Sequence, residues 1–161
     1  RQMCIRDRLS KAPKLPLKAY DDLGTFKLYT LDLGVLRKLS ELDASILLLP
    51  TPAYTEYKGA LAENYILQSL TAQFQMPFRY WTSGNKAEVD FLLQYINQIY
   101  PIEVKADQNI QGKSLIQYEK LFQPACRIRY SMLNLKQDGN LLNIPLFLAD
   151  KTRELLGVIN V

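Results

Sequence analysis

The rhythm of apolar and polar positions changes several times along the chain, and each change marks an element. Residues 11–18, with two prolines and three lysines, fit an extended connector. Residues 26–30 alternate like a short strand. Asp32 is a natural N-cap for a helix over 33–42, where Leu33, Leu36, Leu39 and Leu42 recur at near-helical spacing. Pro50 and Pro52 break the next apolar stretch and mark an internal boundary.

Beyond it a long helical pattern runs over 54–74, closed off by Pro77. Strands are predicted over 78–82 and 87–94, joined by the turn Ser83-Gly84-Asn85-Lys86, and a third over 99–106 after a turn at 96–98. A helix over 112–122 ends at Pro124, and 126–133 reads as a fourth strand. Residues 136–140 form a turn, 144–148 a short strand and 151–158 a closing helix. The core order helix, strand, strand, strand, helix, strand describes an α/β fold, a mixed sheet flanked by helices. The first three strands form an antiparallel meander, and the helical crossover makes the third and fourth parallel.

Composition narrows the chemistry. The chain has 161 residues, 48% hydrophobic and 22% charged, enough for one domain with a core. No apolar run approaches the ~20 residues of a membrane span, so a soluble, cytoplasmic protein with no membrane partner is expected. There is no histidine, which removes Ser-His-Asp triads, Cys-His pairs and His-based zinc sites. The two cysteines, Cys4 and Cys126, make neither a disulfide framework nor a zinc knuckle.

The net charge of +4 is local: residues 1–20 hold six Lys/Arg against one Asp, and residues 21–161 hold 14 against 15. Overall basicity therefore says nothing about a DNA-binding face. Residues 1–8 lack an amphipathic period and resemble a translated sequencing adapter, so they are set aside as a non-native leader, with a native basic arm as the alternative. Residues 9–52 are then a connector segment and 53–161 the main domain.

Three charged residues stand in strands that ought to be buried: Asp90, Glu103 and Lys105. With period two, Glu103 and Lys105 share one face, and a register that sets Asp90 beside Glu103 gathers two carboxylates and an ammonium. Adjacent carboxylates repel unless a cation neutralises them, and Mg²⁺ suits such oxygen ligands. A lysine beside that cation can orient or deprotonate a water for phosphodiester hydrolysis. The bland reading of the same residues is a set of cross-strand ion pairs.

Glu63 lies in the apolar stripe Ala60, Leu67, Leu70, Phe74 of the long helix, where a carboxylate must pair, serve a metal, or sit at the stripe's exposed end. Its bland reading is a bridge to Lys58 or Lys105, and small Gly59 and Ala60 would let the helix approach the sheet. Gly112-Lys113-Ser114 lacks the earlier glycine of a phosphate loop. Lys113, Gln117 and Tyr118 could touch a substrate backbone, while Trp81 with Tyr80 and Phe78 reads as packing.

Asp90 followed by Glu103-Val104-Lys105, in this element order, resembles the PD-(D/E)XK nuclease fold of restriction endonucleases and Holliday-junction resolvases. More specifically, Leu15-Pro16-Leu17-Lys18-Ala19-Tyr20, the stretch from Lys27-Leu28-Tyr29 to Asp32-Leu33-Gly34, Lys58-Gly59-Ala60-Leu61-Ala62-Glu63-Asn64, Ala87-Glu88-Val89-Asp90-Phe91 and Pro101-Ile102-Glu103-Val104-Lys105 are similar to the C-terminal domain of unknown function attached to prokaryotic AAA-type ATPases. The resemblance runs from about Lys14 to the end.

The resemblance implies a restriction-endonuclease-like fold, with Asp90 and Glu103 as metal ligands, Glu63 as a helix-borne carboxylate and Lys105 as the water-positioning base. It implies Mg²⁺ or Mn²⁺ as cofactor and DNA as a partner. It also implies an ATPase module, joined through a winged-helix-like segment, upstream of what is then a C-terminal fragment. A metal-dependent nuclease-like or DNA-binding domain is the first expectation. The second is a catalytically inactive interaction or oligomerisation module of the ATPase, including homo-oligomers, and an acid–base enzyme for a small substrate ranks last.

Overall fold

The structure, a computed structural model, describes residues 4–41, 43, 52–84, 87–107 and 112–159. Leu42, Pro50 and the turn residues Asn85 and Lys86 lie outside these. Among the described residues, eight strands form one mixed sheet: β1 (Cys4–Ser10), β2 (Asp21–Thr30), β3 (Arg79–Thr82), β4 (Glu88–Tyr95), β5 (Gln98–Val104), β6 (Arg127–Ser131), β7 (Lys136–Asp138) and β8 (Leu141–Pro145). Their spatial order is β2-β1-β3-β4-β5-β6-β8-β7. Four α-helices accompany them: α1 (Leu33–Leu39), α2 (Pro52–Phe74), α3 (Lys113–Phe122) and α4 (Thr152–Ile159).

The central part follows from local signals. β3, β4 and β5 are successive antiparallel neighbours, and β6 lies parallel to β5 after the α3 crossover. The Asp32 carboxylate accepts the Val35 N–H at 2.9 Å and caps α1. Pro52 does not merely interrupt: it opens α2, where its missing N–H is harmless. Gln75 ends α2 and Gln123 ends α3, each in the left-handed region, with Pro77 and Pro124 close behind.

Alternation along the strands gives the sheet two apolar faces. Ile66, Leu67 and Leu70 of α2 and Leu156 of α4 pack with Phe91, Leu93, Ile102, Val104, Ile128 and Tyr130. Leu115 and Tyr118 of α3 pack with Leu17, Trp81, Val89 and Leu92 on the opposite face. The layers are therefore helices, sheet, helix.

The amino-terminal third differs from its sequence reading. Cys4–Arg8, within the stretch 1–8 set aside as a leader, run on through Leu9 and Ser10 as β1, which pairs antiparallel with β2 and parallel with β3. The connector segment likewise holds β2, an edge strand of the same sheet. Backbone pairing makes these strands, so the charged run Arg6-Asp7-Arg8 gave no period to read. The turn expected at 136–140 begins as the exposed strand β7, and its tip is Gly139 with φ +57°. β8 starts at Leu141 instead of 144, because parallel pairing with β6 buries Leu142 and Ile144; a 3-10 turn over Leu146–Lys151 follows.

Candidate functional site

The β4–β5 hairpin sets the site. Ile96 and Asn97 both take positive φ, 44° and 57°, in a tight two-residue turn whose twist matches the strands. The ladder then runs from Tyr95↔Gln98 to Phe91↔Ile102. One step further along this antiparallel register, Asp90 stands opposite Glu103. There the carboxylate of Asp90 replaces a backbone acceptor and takes the Val104 N–H at 2.7 Å. On its other side β4 carries a bulge: the register passes from Arg79↔Leu92 to Trp81↔Val89, so the extra residue falls at Asp90-Phe91. A bulge re-aims side chains, and it leaves Val89 and Leu92 in the same core cluster with Asp90 between them.

The end of β5 and the residue that follows it supply the next pair. Glu103 is 2% exposed, and its Oε1 lies 2.8 Å from the ammonium of Lys105, which is 31% exposed. The second oxygen, Oε2, is buried with no hydrogen-bond partner. The bridge thus satisfies one lone-pair face of Glu103 and leaves the other open, a costly arrangement unless something positive or hydrogen-donating arrives.

Glu63 comes from α2. Ala60 is exposed while Leu67 and Leu70 are buried, so Glu63 stands at the outer end of its stripe. Its Oε2 accepts the Tyr29 hydroxyl at 3.3 Å. The expected bridges do not form: Lys58 pairs with Asp107 at 3.2 Å, and Lys105 with Glu103. Gly59 does not serve close approach, since a Cβ there would meet nothing within 4 Å.

The electrostatics tie these residues together. The Asp90 carboxyl is pushed up to about 7, first by burial and then by the charges of Glu63 and Glu103, against the Val104 N–H and Lys27. Glu63 is raised as well, again chiefly by burial, although Lys27, the Tyr29 hydroxyl and Lys105 oppose it. Burial would lower Lys27, but its hydrogen bond and charge contact with Glu88, with Glu63 and Asp90 beyond, leave it raised. Tyr29 is pushed up strongly by burial and by Glu63.

Sequence reasoning missed Lys27, Tyr29 and Glu88. Their signal was present in part: Lys27 and Tyr29 sit two apart on one strand face, but nothing local says which strands lie beside β2. The substrate role suggested for Tyr118 does not hold, because it is 1% exposed, its ring centroid 5.3 Å from that of Trp81. Trp81 packs as expected, edge-on against both Tyr118 and Phe122.

Among the described residues no three acidic or thiol groups converge closely enough to hold a metal between them. Two carboxylates fit a hard cation that keeps several waters, as Mg²⁺ does, and the orphaned Oε2 of Glu103 is a donor of the right kind. Among the described residues no helix is long and apolar enough to cross a membrane. Residues 58–147, which include Glu63, Asp90, Glu103 and Lys105, match the family model DUF4143, a domain of unknown function. No curated protein and no solved structure matches the chain.

Proposed function

The chain belongs to the DUF4143 family, and from its carboxylate–lysine cluster we propose a nuclease-like domain that hydrolyses phosphodiester bonds with a divalent cation. One observation carries this reading: Asp90, fixed by the Val104 N–H, stands beside a buried Glu103 that is bridged to Lys105 on one oxygen and open on the other. Such a pair of carboxylates gains by taking up a cation. The order α2-β3-β4-β5-α3-β6 supports a restriction-endonuclease-like arrangement.

In this reading Asp90 and Glu103 hold Mg²⁺ or Mn²⁺, with Glu63 acting from outside the inner shell. When bound, the cation offsets charge on the phosphate and makes a bound water a better nucleophile. Lys105, its ammonium held by Glu103 but one-third exposed, would orient that water by donating a hydrogen bond to its oxygen, and the water's proton would pass to solvent. Asp90 keeps its orientation through the Val104 N–H, which ties it to the segment that carries the other two groups. The substrate is DNA in the cytoplasm, and an ATPase module upstream in a longer polypeptide regulates access.

A second reading, an interaction or oligomerisation module, is favoured by the exposed apolar side chains Leu23, Phe26 and Leu28 along the edge strand β2. Incubation with single-stranded, duplex and branched DNA in Mg²⁺ or Mn²⁺ separates the two. Cutting that stops with EDTA is expected. Absence of cutting, together with no uptake of either cation by calorimetry, would leave the interaction module as the account.

A further inference from the structure

Lys27 reaches the site from the far edge of the sheet. β2 is separated from β4 by β1 and β3, yet the Lys27 and Glu88 side chains reach toward each other across them and meet in an ion pair. On the way its ammonium lies 4.9 Å from the centre of the Tyr80 ring of β3. The side chain is 27% exposed, so its charge is held against the sheet and not free in solvent. The same strand face carries Tyr29, whose hydroxyl is bound to Glu63.

Glu88 and Asp90 lie two positions apart along β4, with Val89 between them, so a cation tied to Glu88 stands at the border of the carboxylate cluster. We infer that Lys27 is the built-in counter-cation of this site, and that its pairing with Glu88 sets how tightly the site takes up a divalent cation. The inference rests on the cation-dependent reading above. A fixed positive charge within several ångströms repels an incoming divalent ion, and at the effective dielectric of a protein surface this is worth about tenfold or more in affinity. Glu88 limits the repulsion by drawing the ammonium away from Glu63 and Asp90. Coupling is reciprocal, so a bound cation drives Lys27 further onto Glu88. Lys27 is thus a positioning residue.

The test is calorimetric titration of the full chain with Mn²⁺, comparing wild type with Lys27→Met, Lys27→Arg and Glu88→Gln, each checked for cooperative unfolding. Lys27→Met is expected to bind about tenfold more tightly. Lys27→Arg, which keeps the charge, stays within about twofold of wild type, and Glu88→Gln binds several-fold more weakly because the ammonium loses its outer partner. Should Lys27→Met fail to fold, the Glu88→Gln result decides. Equal or weaker binding by Lys27→Met, or tighter binding by Glu88→Gln, overturns the inference. A wild-type chain that takes up no Mn²⁺ overturns it together with the cation-dependent reading, whereas uptake unchanged by Lys27→Met overturns it alone.

Discussion

Asp90→Asn is expected to make the cation-free protein more stable at pH 8 while abolishing metal-dependent cutting. The folded chain holds the Asp90 proton up to about pH 7, against an ordinary value of 3.8. Below 3.8 both folded and unfolded forms are protonated and nothing is lost. Between the two values the folded form binds more protons, so stability falls as pH rises, and above about 7 the whole penalty is present. That penalty is on the order of 2–4 kcal/mol, a large share of a domain's stability. Asparagine carries no charge, and its side-chain carbonyl still accepts the Val104 N–H that the carboxylate holds at 2.7 Å. Urea unfolding in EDTA at pH 4, 6 and 8 checks this: the advantage of Asp90→Asn grows across the series. Glu63, raised in the same direction, leaves a residual slope in the variant. A variant less stable than wild type at pH 8 would mean that the cluster is already neutralised, with no need of a cation.

Lys105→Ala is expected to damage both stability and activity. Its ammonium sits 2.8 Å from Glu103, which is buried on the central strand β5 and has its other oxygen without a partner. Removing one member of a buried pair strands the other charge, at about 3–5 kcal/mol when burial is complete. Lys105 is partly open to water, so about 2–3 kcal/mol is expected here. Cutting falls by roughly 10²–10⁴-fold, the usual contribution of a positioned acid–base group. The paired change Glu103→Gln with Lys105→Met separates the two effects, restoring most of the stability and none of the cutting. Near-normal cutting by Lys105→Ala at equal folded fraction would remove Lys105 from the chemistry and leave it a structural counter-ion.

The stretch from α2 to β6 was legible because each element has a strong local signal. Leu67 and Leu70 mark the helix, Pro77 its end, and the β4–β5 alternation places Glu103 and Lys105 on one face. Whether Asp90 stands beside Glu103 depended on a register that the sequence reading left as a condition; the turn read at 96–98 is the two-residue turn Ile96-Asn97, and it sets that register. Other contacts were hidden because they depend on strand order, which no local period records. Lys27 meets Glu88 only because β1 and β3 lie between their strands, and Tyr29 meets Glu63 only because α2 crosses that face.

β1 was unreadable for a different reason. Asp7 is fully buried, and its carboxyl is raised well above the ordinary range by that burial, against the Arg8 backbone N–H. The run Arg6-Asp7-Arg8 shows no amphipathic period, so nothing in the sequence marks Asp7 as a residue of a core strand. Here Lys27 and Arg79 act on it at longer range.

Calorimetric titration of the wild-type chain and Asp90→Asn with Mn²⁺ at pH 7.5 tests the central claim most directly. The account predicts saturable uptake by wild type, with a rise in unfolding midpoint corresponding to about 2–3 kcal/mol at a hundredfold excess over Kd, and loss of both in Asp90→Asn. Equal uptake by the two proteins, or none by wild type, would contradict it.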